Sequence, residues 1–320
     1  MGNYVGRFAP SPTGALHLGS LAASLVAWLA ARQVGGRLVL RLEDLDQPRV
    51  VTGAAAEQMA DLRWLGLDWD EGPDTGGPSA PHVQSEASQF YDAALAHLEA
   101  KGLLYYCDCS RREIADQISA PHPGEGDTVY PGSCRAFGMR RRDFRRPPAI
   151  RLAVPSGTMA IVDRWQGQIE QEVSREVGDF VLRRGDGVTT YQLAVVVDDL
   201  RMGVTEVVRG ADLLSSAPRQ ALLARLLDSA APTFAHLPMV LDGEGGRLAK
   251  RSRRFQLGAR KLAGDDPLRI VEQMASLLGL VNGDRSQPLS SLDDLLERAD
   301  LSRLSEHAEV RLPASFGSWE

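Results

Sequence analysis

The amino-terminal segment alternates between apolar patterns typical of strands and of helices. Apolar residues in segment 4–8 predict a strand, and two prolines and a glycine in segment 9–14 predict a loop. A helix is predicted next, because apolar residues recur at three- and four-residue steps at Leu18, Leu21, Leu25, Trp28 and Leu29. Gly35 and Gly36 end this helix, and segment 37–42 predicts a second strand. This βαβ order predicts a parallel sheet with a ligand crevice at the carboxyl ends of its strands.

The rest of the chain predicts further helices and strands around one irregular segment. Helical periodicity and glycine stops predict helices over 52–65, about 90–102, 217–227, 268–278 and 292–301. Apolar runs predict strands over 149–154, 177–184 and 236–241. A valine run in 191–199 is flanked by acids and indicates a buried core segment. Segment 105–134 holds polar residues, prolines and several glycines, which indicates an insertion with its own stabilising device.

Composition limits the class of protein. The chain has 320 residues, of which 43% are apolar and 24% charged, as is ordinary for a globular protein. Its longest mainly apolar stretch, 16–31, is too short to span a membrane and follows no basic segment of signal-peptide type, so we expect a cytoplasmic protein. The net charge of −6 argues against a surface coated with positive charge. Two arginine-rich clusters, 140–146 and 247–254, are therefore either solvated faces or local nucleic-acid contacts.

The junction between the first predicted strand and helix carries groups that suit a nucleotide. The helix N-terminus offers unpaired N–H groups to a phosphate, Gly19 allows close approach to the backbone, and His17 can donate to a phosphate oxygen. As a specific string, residues 7–20 resemble the first signature motif, named HIGH, of class I aminoacyl-tRNA synthetases in its glutamyl and glutaminyl form. The motif here reads His17-Leu18-Gly19-Ser20, so a serine replaces its second histidine.

The resemblance implies an ATP site and a glutamate site at this junction. It assigns ATP binding to Thr13, Gly14, His17 and Gly19. It assigns glutamate binding to Arg7, Ala9 and Ser11. Glu43 follows the second predicted strand, where a carboxylate could bind the ammonium group of the amino acid. A helix cap or a surface acid is the alternative for Glu43.

Two later segments resemble further parts of the same family. Residues 191–212 form a long match that implies binding of glutamate's carboxylates by Tyr191 and Arg209, together with Arg7. An arginine fork suits a carboxylate better than a neutral amide, which favours glutamate over glutamine. Segment 247–251 resembles the second class I motif, KMSKS, with arginine for its first lysine and alanine for its serine. Lys250 would neutralise charge on the phosphates of ATP, and Lys250 and His17 are the catalytic residues that the resemblance implies.

The three cysteines favour a metal site over a disulfide. Cys107 and Cys109 are too close in sequence for an easy disulfide, and Cys134 supplies a third sulfur. Structural zinc needs a fourth ligand, for which His122 is one candidate, and three unconnected reduced thiols are the alternative. The pattern also resembles glutamyl-queuosine tRNA(Asp) synthetases, in which Cys-x-Cys is followed by Tyr-x-x-x-Cys. That resemblance implies one zinc per chain, held by Cys107, Cys109, Tyr130 and Cys134.

The matches run in family order from residue 7 to residue 251. They imply a Rossmann-type α/β catalytic domain in two parts, 1–104 and 148–262, with a zinc-binding insertion at 105–147. A small helical region at 263–320 follows, and we expect no anticodon-binding domain. Ser110 and Glu113 also predict a capping box for a short helix after the cysteine pair.

The function that the resemblance implies has two steps. Glutamate is activated by ATP, with Mg²⁺ and without tRNA, to glutamyl-adenylate. The glutamate then passes to the queuosine base at the wobble position of tRNA(Asp). We expect a monomer. The alternatives are a compact glutamyl-tRNA synthetase charging tRNA(Glu), and an inactive paralogue that serves as a binding or regulatory module, which the changes at Arg247 and Ala249 would suit.

Overall fold

The structure, a computed structural model, describes residues 4–16, 18–117, 129–241, 257–281, 288–306 and 309–311. Its strands are β1 Val5–Phe8, β2 Arg37–Leu40, β3 Leu104–Cys107, β4 Ala149–Leu152, β5 Met159–Asp163, β6 Gly167–Gln171, β7 Val181–Arg183, β8 Glu206–Gly210, β9 Thr233–Leu237, β10 Met239–Leu241 and β11 Glu309–Arg311. Its helices are α1 Leu18–Arg32, α2 Ala54–Trp64, α3 Ser88–Ala100, α4 Arg111–Gln117, α5 Val173–Glu176, α6 Tyr191–Arg201, α7 Ala217–Leu226, α8 Leu257–Leu262, α9 Pro267–Leu277 and α10 Leu292–Arg298. The α/β class predicted from the sequence is confirmed.

The amino-terminal βαβ unit forms as predicted. Strands β1 and β2 pair in parallel, with Val5 opposite Arg37 and Phe8 opposite Leu40. Helix α1 connects them and is buried along most of its length, because its apolar residues face both the sheet and the carboxy-terminal helices. The loop from residue 9 leaves the carboxyl end of β1, so it lies at the edge of the sheet where ligands bind in α/β folds.

A four-stranded sheet continues the fold, in the order β6-β5-β9-β8. Strands β8 and β9 are parallel, and their register sets Arg209 opposite His236. Strand β1 lies beside the start of β8, where the backbone N–H of Thr205 donates to the carbonyl oxygen of Val5 at 2.9 Å. This arrangement brings Arg7 of β1 and Arg209 of β8 onto neighbouring parts of the fold.

The other predicted helices are confirmed as α2, α3, α7, α9 and α10, with ends shifted by a few residues. The strand predicted over 177–184 is wrong in extent, because only Val181–Arg183 is a strand and α5 precedes it. The strand predicted over 236–241 is divided between β9 and β10 at Pro238, which has no N–H for a continuous ladder. The valine run of 191–199 is buried as expected, within helix α6.

Two large apolar cores stabilise the fold. One surrounds α1 and includes β2, α9 and α10. The other lies between α3, α6 and α7 and includes residues of β3, β4 and β7. No helix in the described part of the chain combines the length and the apolar character needed to cross a bilayer.

Candidate active site

A buried network of charged residues lies where β1 and β2 end. Arg41 has no exposed surface, and its guanidinium donates to Asp199 Oδ1 at 2.7 Å and to Glu43 Oε1 at 3.1 Å. Arg7 donates from Nη1 to the carbonyl oxygen of Val208 at 2.8 Å, and its Nε lies 3.5 Å from Asp199 Oδ1. Burial raises the pKa of Glu43, while Arg41 and Arg7 act in the opposite direction. Two of the predicted glutamate ligands, Arg7 and Glu43, are therefore held by the same Arg41–Asp199 pair.

Formal charges in this network balance. Arg201 of α6 donates from Nε to Asp198 Oδ1 at 2.8 Å, and Arg41 Nε lies 3.8 Å from Asp198 Oδ2. Among the described residues, the network therefore joins three arginines and three acids: Arg7, Arg41 and Arg201 with Glu43, Asp198 and Asp199. Burial of charges this close is tolerable because each has an opposite partner.

Arg209 is different, because its close partners are neutral. It is only 5% exposed, and its Nε donates to His236 Nε2 at 2.8 Å. Its Nη1 donates to Tyr191 at 3.2 Å and to Gln220 Oε1 at 2.8 Å, and its Nη2 donates to the carbonyl oxygen of Leu213 at 3.2 Å. Within the described ranges no carboxylate lies at ion-pair distance from this guanidinium, and burial lowers the pKa of Arg209. A buried cation without a counterion is a ready site for an anionic group.

Tyr191 joins Arg209 to the charged network. It is the first residue of α6, and its hydroxyl oxygen accepts the bond from Arg209 Nη1. Burial raises the pKa of Tyr191, so the phenol keeps its proton as a donor for a ligand. Electrostatic interactions with Glu43 and Arg7 also act on this pKa. Arg7, Glu43, Tyr191 and Arg209 are thus gathered at one site.

The loop after β1 is fixed by segment 43–58. Glu43 N donates to the carbonyl oxygen of Pro10 at 3.0 Å, and Gln58 of α2 donates from Nε2 to the carbonyl oxygens of Ser11 and Gly14 at 3.1 and 2.7 Å. Gly14 has a φ of +136°, a conformation that favours glycine. Among the other predicted ligands, Ala9, Thr13 and Gly19 are half-buried and Ser11 is exposed on this loop and the first turn of α1. His17 and Lys250, the predicted catalytic residues, lie outside the described residues.

The three cysteines come together in the insertion. Their Sγ atoms lie within 4.8 Å of one another, and Cys109 Sγ is 3.6 Å from Cys134 Sγ. Tyr130 Oη lies 3.4 Å from Cys107 Sγ and 3.8 Å from Cys109 Sγ. Sulfurs bound to tetrahedral zinc at about 2.3 Å are roughly 3.8 Å apart, so this spacing fits the metal. The sulfur cluster can therefore hold a metal ion, while His122 lies outside the described residues.

The first arginine-rich cluster is built around the cysteine pair. Asp108, between Cys107 and Cys109, accepts from Arg142 Nη2 at 2.6 Å and from the backbone N–H of Arg145 at 3.2 Å. Arg145 and Arg146 also bond to Glu113, whose carboxylate accepts from Ser110 N at 2.6 Å and completes the predicted capping box of α4. Three of the cluster's arginines therefore neutralise acids of the insertion. Arg140 and Arg141 are exposed.

Several site residues were not anticipated from the sequence. They are Arg41, Asp198, Asp199, Asp163, His236 and Gln220. Their partners lie far along the chain, such as Asp199 for Arg41, so no local spacing shows the contact. One signal was available: charged or imidazole side chains interrupt apolar runs at 161–163, 195–199 and 234–237. Such residues need buried partners.

Comparisons with known proteins give one family for most of the chain. Residues 4–311 match the family described as tRNA synthetases class I (E and Q), catalytic domain. The chain is 48% identical over 315 residues to a Symbiobacterium thermophilum protein named Glutamyl-Q tRNA(Asp) synthetase, covering 97% of this chain and 96% of that relative. A Nitratidesulfovibrio vulgaris protein of the same name is 49% identical over 280 residues, or 86% of each chain.

Solved structures show the same fold. A glutamate-tRNA synthetase from Elizabethkingia anophelis superposes with a TM-score of 0.80 at 28% identity, over 99% of this chain and 70% of that one. A glutamate tRNA ligase from Elizabethkingia meningosepticum, in complex with its amino acid, gives 0.83 at 29% identity, over 99% of this chain and 68% of that one. The fold is therefore that of class I glutamyl-type synthetases, with parallel sheets as predicted.

Proposed function

Because the chain belongs to the class I tRNA synthetase family for glutamate and glutamine, and is a ligase-type enzyme, we propose that it activates glutamate with ATP and transfers it to tRNA(Asp). The first step joins the α-carboxylate of glutamate to the α-phosphorus of ATP, giving glutamyl-adenylate and pyrophosphate, and needs no tRNA. The second step passes glutamate to the queuosine base at the wobble position. Relatives with 48% and 49% identity carry the name Glutamyl-Q tRNA(Asp) synthetase, which supports this choice of tRNA.

The neutral surroundings of Arg209 are the observation that supports glutamate as the substrate. Its guanidinium is buried against neutral partners, while the neighbouring arginines already face acids. A carboxylate from the ligand would balance this charge and could also accept from Tyr191. The neutral amide of glutamine would leave Arg209 without a counterion, so the site favours glutamate.

Glu43 would bind the ammonium group of the amino acid, and Arg7 would bind a carboxylate. Glu43 Oε1 accepts from Arg41, and this bond fixes the orientation of the carboxylate. Arg7 is buried near Glu43, and although its Nε faces Asp199 Oδ1 at 3.5 Å, its positive charge would attract a carboxylate of the ligand. Fixed groups of both signs bind the ammonium and a carboxylate together, and this positions the reacting oxygen without a covalent nucleophile.

ATP would lie on the loop after β1 and the N-terminus of α1. The loop carbonyls held by Gln58 keep Thr13 and Gly14 in place, while Ala9 and Ser11 begin the same loop. The proposed roles of His17 and Lys250 are to stabilise the phosphates as pyrophosphate leaves, and Mg²⁺ arrives with ATP. Catalysis is then positioning plus electrostatic stabilisation.

A zinc ion would stabilise the insertion. The spacing of the three sulfurs and of Tyr130 Oη supports the set Cys107, Cys109, Tyr130 and Cys134. Burial raises the pKa of Cys109 to about 11, so this thiol holds its proton until a cation takes its place. The ion would link segment 107–109 of the insertion to segment 130–134.

Pyrophosphate exchange tests the activation step. With Mg²⁺, ATP and labelled pyrophosphate but no tRNA, we expect label to enter ATP when glutamate is added, and at least about tenfold less with glutamine. Exchange that requires added tRNA(Glu) would favour the compact glutamyl-tRNA synthetase, and absence of exchange under both conditions would favour the inactive paralogue.

A further inference from the structure

Behind Arg209 lies a buried pair of residues that the ligand would not touch. His236 of β9 is 0% exposed and Asp163, the last residue of β5, is 1% exposed. The imidazole Nδ1 lies 2.5 Å from Asp163 Oδ2, and its Nε2 lies 2.8 Å from Arg209 Nε. Asp163, His236 and Arg209 thus form a chain that runs from the interior of the sheet toward the glutamate site.

Hydrogen-bond chemistry fixes the tautomer of His236. Arg209 Nε always carries a proton, so His236 Nε2 must be the acceptor of that bond. The imidazole proton is therefore on Nδ1, where it is donated to Asp163 Oδ2. Burial and the charge of Arg209 lower the pKa of His236, although the bond to Asp163 opposes this. A neutral imidazole with its proton on Nδ1 satisfies both neighbours.

Asp163 is itself fixed by the backbone. Its Oδ1 accepts from the N–H groups of Trp165 at 3.1 Å, Gln166 at 3.0 Å and His236 at 3.2 Å. These three donors require an oxygen at this position, which leaves Oδ2 for the imidazole. Burial alone would raise the pKa of Asp163, but the hydrogen bonds from His236 and Gln166 hold it below its ordinary value.

The hydrogen bonds around Arg209 leave its guanidinium little freedom to rotate. A guanidinium has five N–H donors, and four are used by His236, Tyr191, Gln220 and the carbonyl of Leu213. Gln220 is oriented in turn, because its Nε2 donates to Gln192 Oε1 at 3.1 Å. Counting the bonds among the described residues, one N–H on Nη2 remains for a ligand. Its direction depends on the rotation of the guanidinium plane, which the bond from Nε to His236 sets together with the three bonds from Nη1 and Nη2.

We propose that Asp163 and His236 are positioning residues, which fix the guanidinium of Arg209 for carboxylate binding by holding the imidazole with its proton on Nδ1. This inference rests on the proposed role of Arg209 in glutamate binding. It predicts that the tautomer of His236, and not only its size, determines affinity for glutamate.

Asp163→Asn tests the tautomer directly. The variant has the same shape, and the three backbone donors keep the oxygen of its amide at the Oδ1 position. Its amide nitrogen then faces His236 Nδ1 as a donor, so the imidazole proton moves to Nε2 and opposes Arg209 Nε. We expect KM for glutamate in pyrophosphate exchange to rise on the order of 10- to 100-fold, with KM for ATP changed less than about threefold. An unchanged KM for glutamate in folded Asp163→Asn would overturn the proposal.

Nitrogen-15 NMR of the imidazole gives a readout that does not depend on activity. The Nδ1–H tautomer is expected for His236 in the wild-type protein and the Nε2–H tautomer in Asp163→Asn. Its signals are identified by their loss in His236→Gln. An Nε2–H tautomer in the wild type contradicts the proposal. If the tautomers are as expected but the wild type does not activate glutamate, the proposed function fails while the positioning of Arg209 stands.

Two variants of His236 serve if Asp163→Asn does not fold. His236→Gln places an amide oxygen where it can still accept from Arg209 Nε, whereas His236→Leu has no acceptor. The leucine variant is expected to show the larger rise in KM for glutamate, by at least about fivefold over the glutamine variant. Equal values for the two variants would show that the imidazole only fills space.

Discussion

Arg209→Ala is expected to lower kcat/KM for glutamate in pyrophosphate exchange by about 100- to 1,000-fold. Removing one partner of a buried, hydrogen-bonded charge pair costs roughly 2–5 kcal/mol, and each 1.4 kcal/mol is about tenfold. The variant should lose kcat/KM for glutamate and keep its KM for ATP, since the residues proposed to hold ATP are on another loop. The measurement is exchange at varied glutamate and at varied ATP.

Arg225→Ala is a matched control. Arg225 lies on α7, the helix that carries Gln220, but its side chain is exposed. We expect wild-type exchange from this variant. Arg209→Lys retains the charge without the planar fork and should fall between wild type and alanine. Unchanged exchange by folded Arg209→Ala would remove Arg209 from the glutamate site.

Cys109→Ser is expected to reduce the metal content from about one zinc per chain to nearly none. The cysteine joins the sulfur cluster at 3.6 Å from Cys134 Sγ, so its loss breaks the set of ligands. Metal binding contributes directly to folding free energy, and the insertion should become sensitive to proteolysis before the catalytic core unfolds. Elemental analysis of the purified protein and limited proteolysis measure the two effects.

Variants of Tyr130 and His122 distinguish the two candidates for the fourth zinc ligand. Tyr130→Phe should weaken zinc retention during dialysis against a chelator, because Tyr130 Oη is close to two of the sulfurs. His122→Ala should retain zinc as the wild type does. The reverse result would assign the fourth position to His122, and a native, metal-free wild-type protein would refute the zinc site.

Periodic segments of the fold were predictable, and weakly patterned ones were not. Helix α1 has a long apolar period between a loop and two glycines, so its position followed from the sequence. The hairpin of β5 and β6 was not predicted, because its apolar and polar residues do not follow burial. Val162, for example, is apolar but 74% exposed. Exposed strands owe their form to pairing with neighbours, which one sequence does not show.

The candidate site residues were proposed from the sequence only where a motif contains them. Arg7, Glu43, Tyr191 and Arg209 came from family resemblance, and their role in binding glutamate stays a prediction. Their supporting residues depend on contacts between distant segments, as His236 does with Asp163 of β5. A buried acid or imidazole within an apolar run indicates that a partner exists, but does not identify it.

Transfer of labelled glutamate tests whether queuosine-containing tRNA(Asp) is the acceptor. The enzyme is given ATP, Mg²⁺ and labelled glutamate, then tRNA(Asp) with queuosine, tRNA(Asp) without it, or tRNA(Glu). We expect label on the queuosine-containing tRNA(Asp) alone. Label on tRNA(Glu) would contradict it in favour of ordinary aminoacylation, and label on none of the three would contradict the proposed transfer.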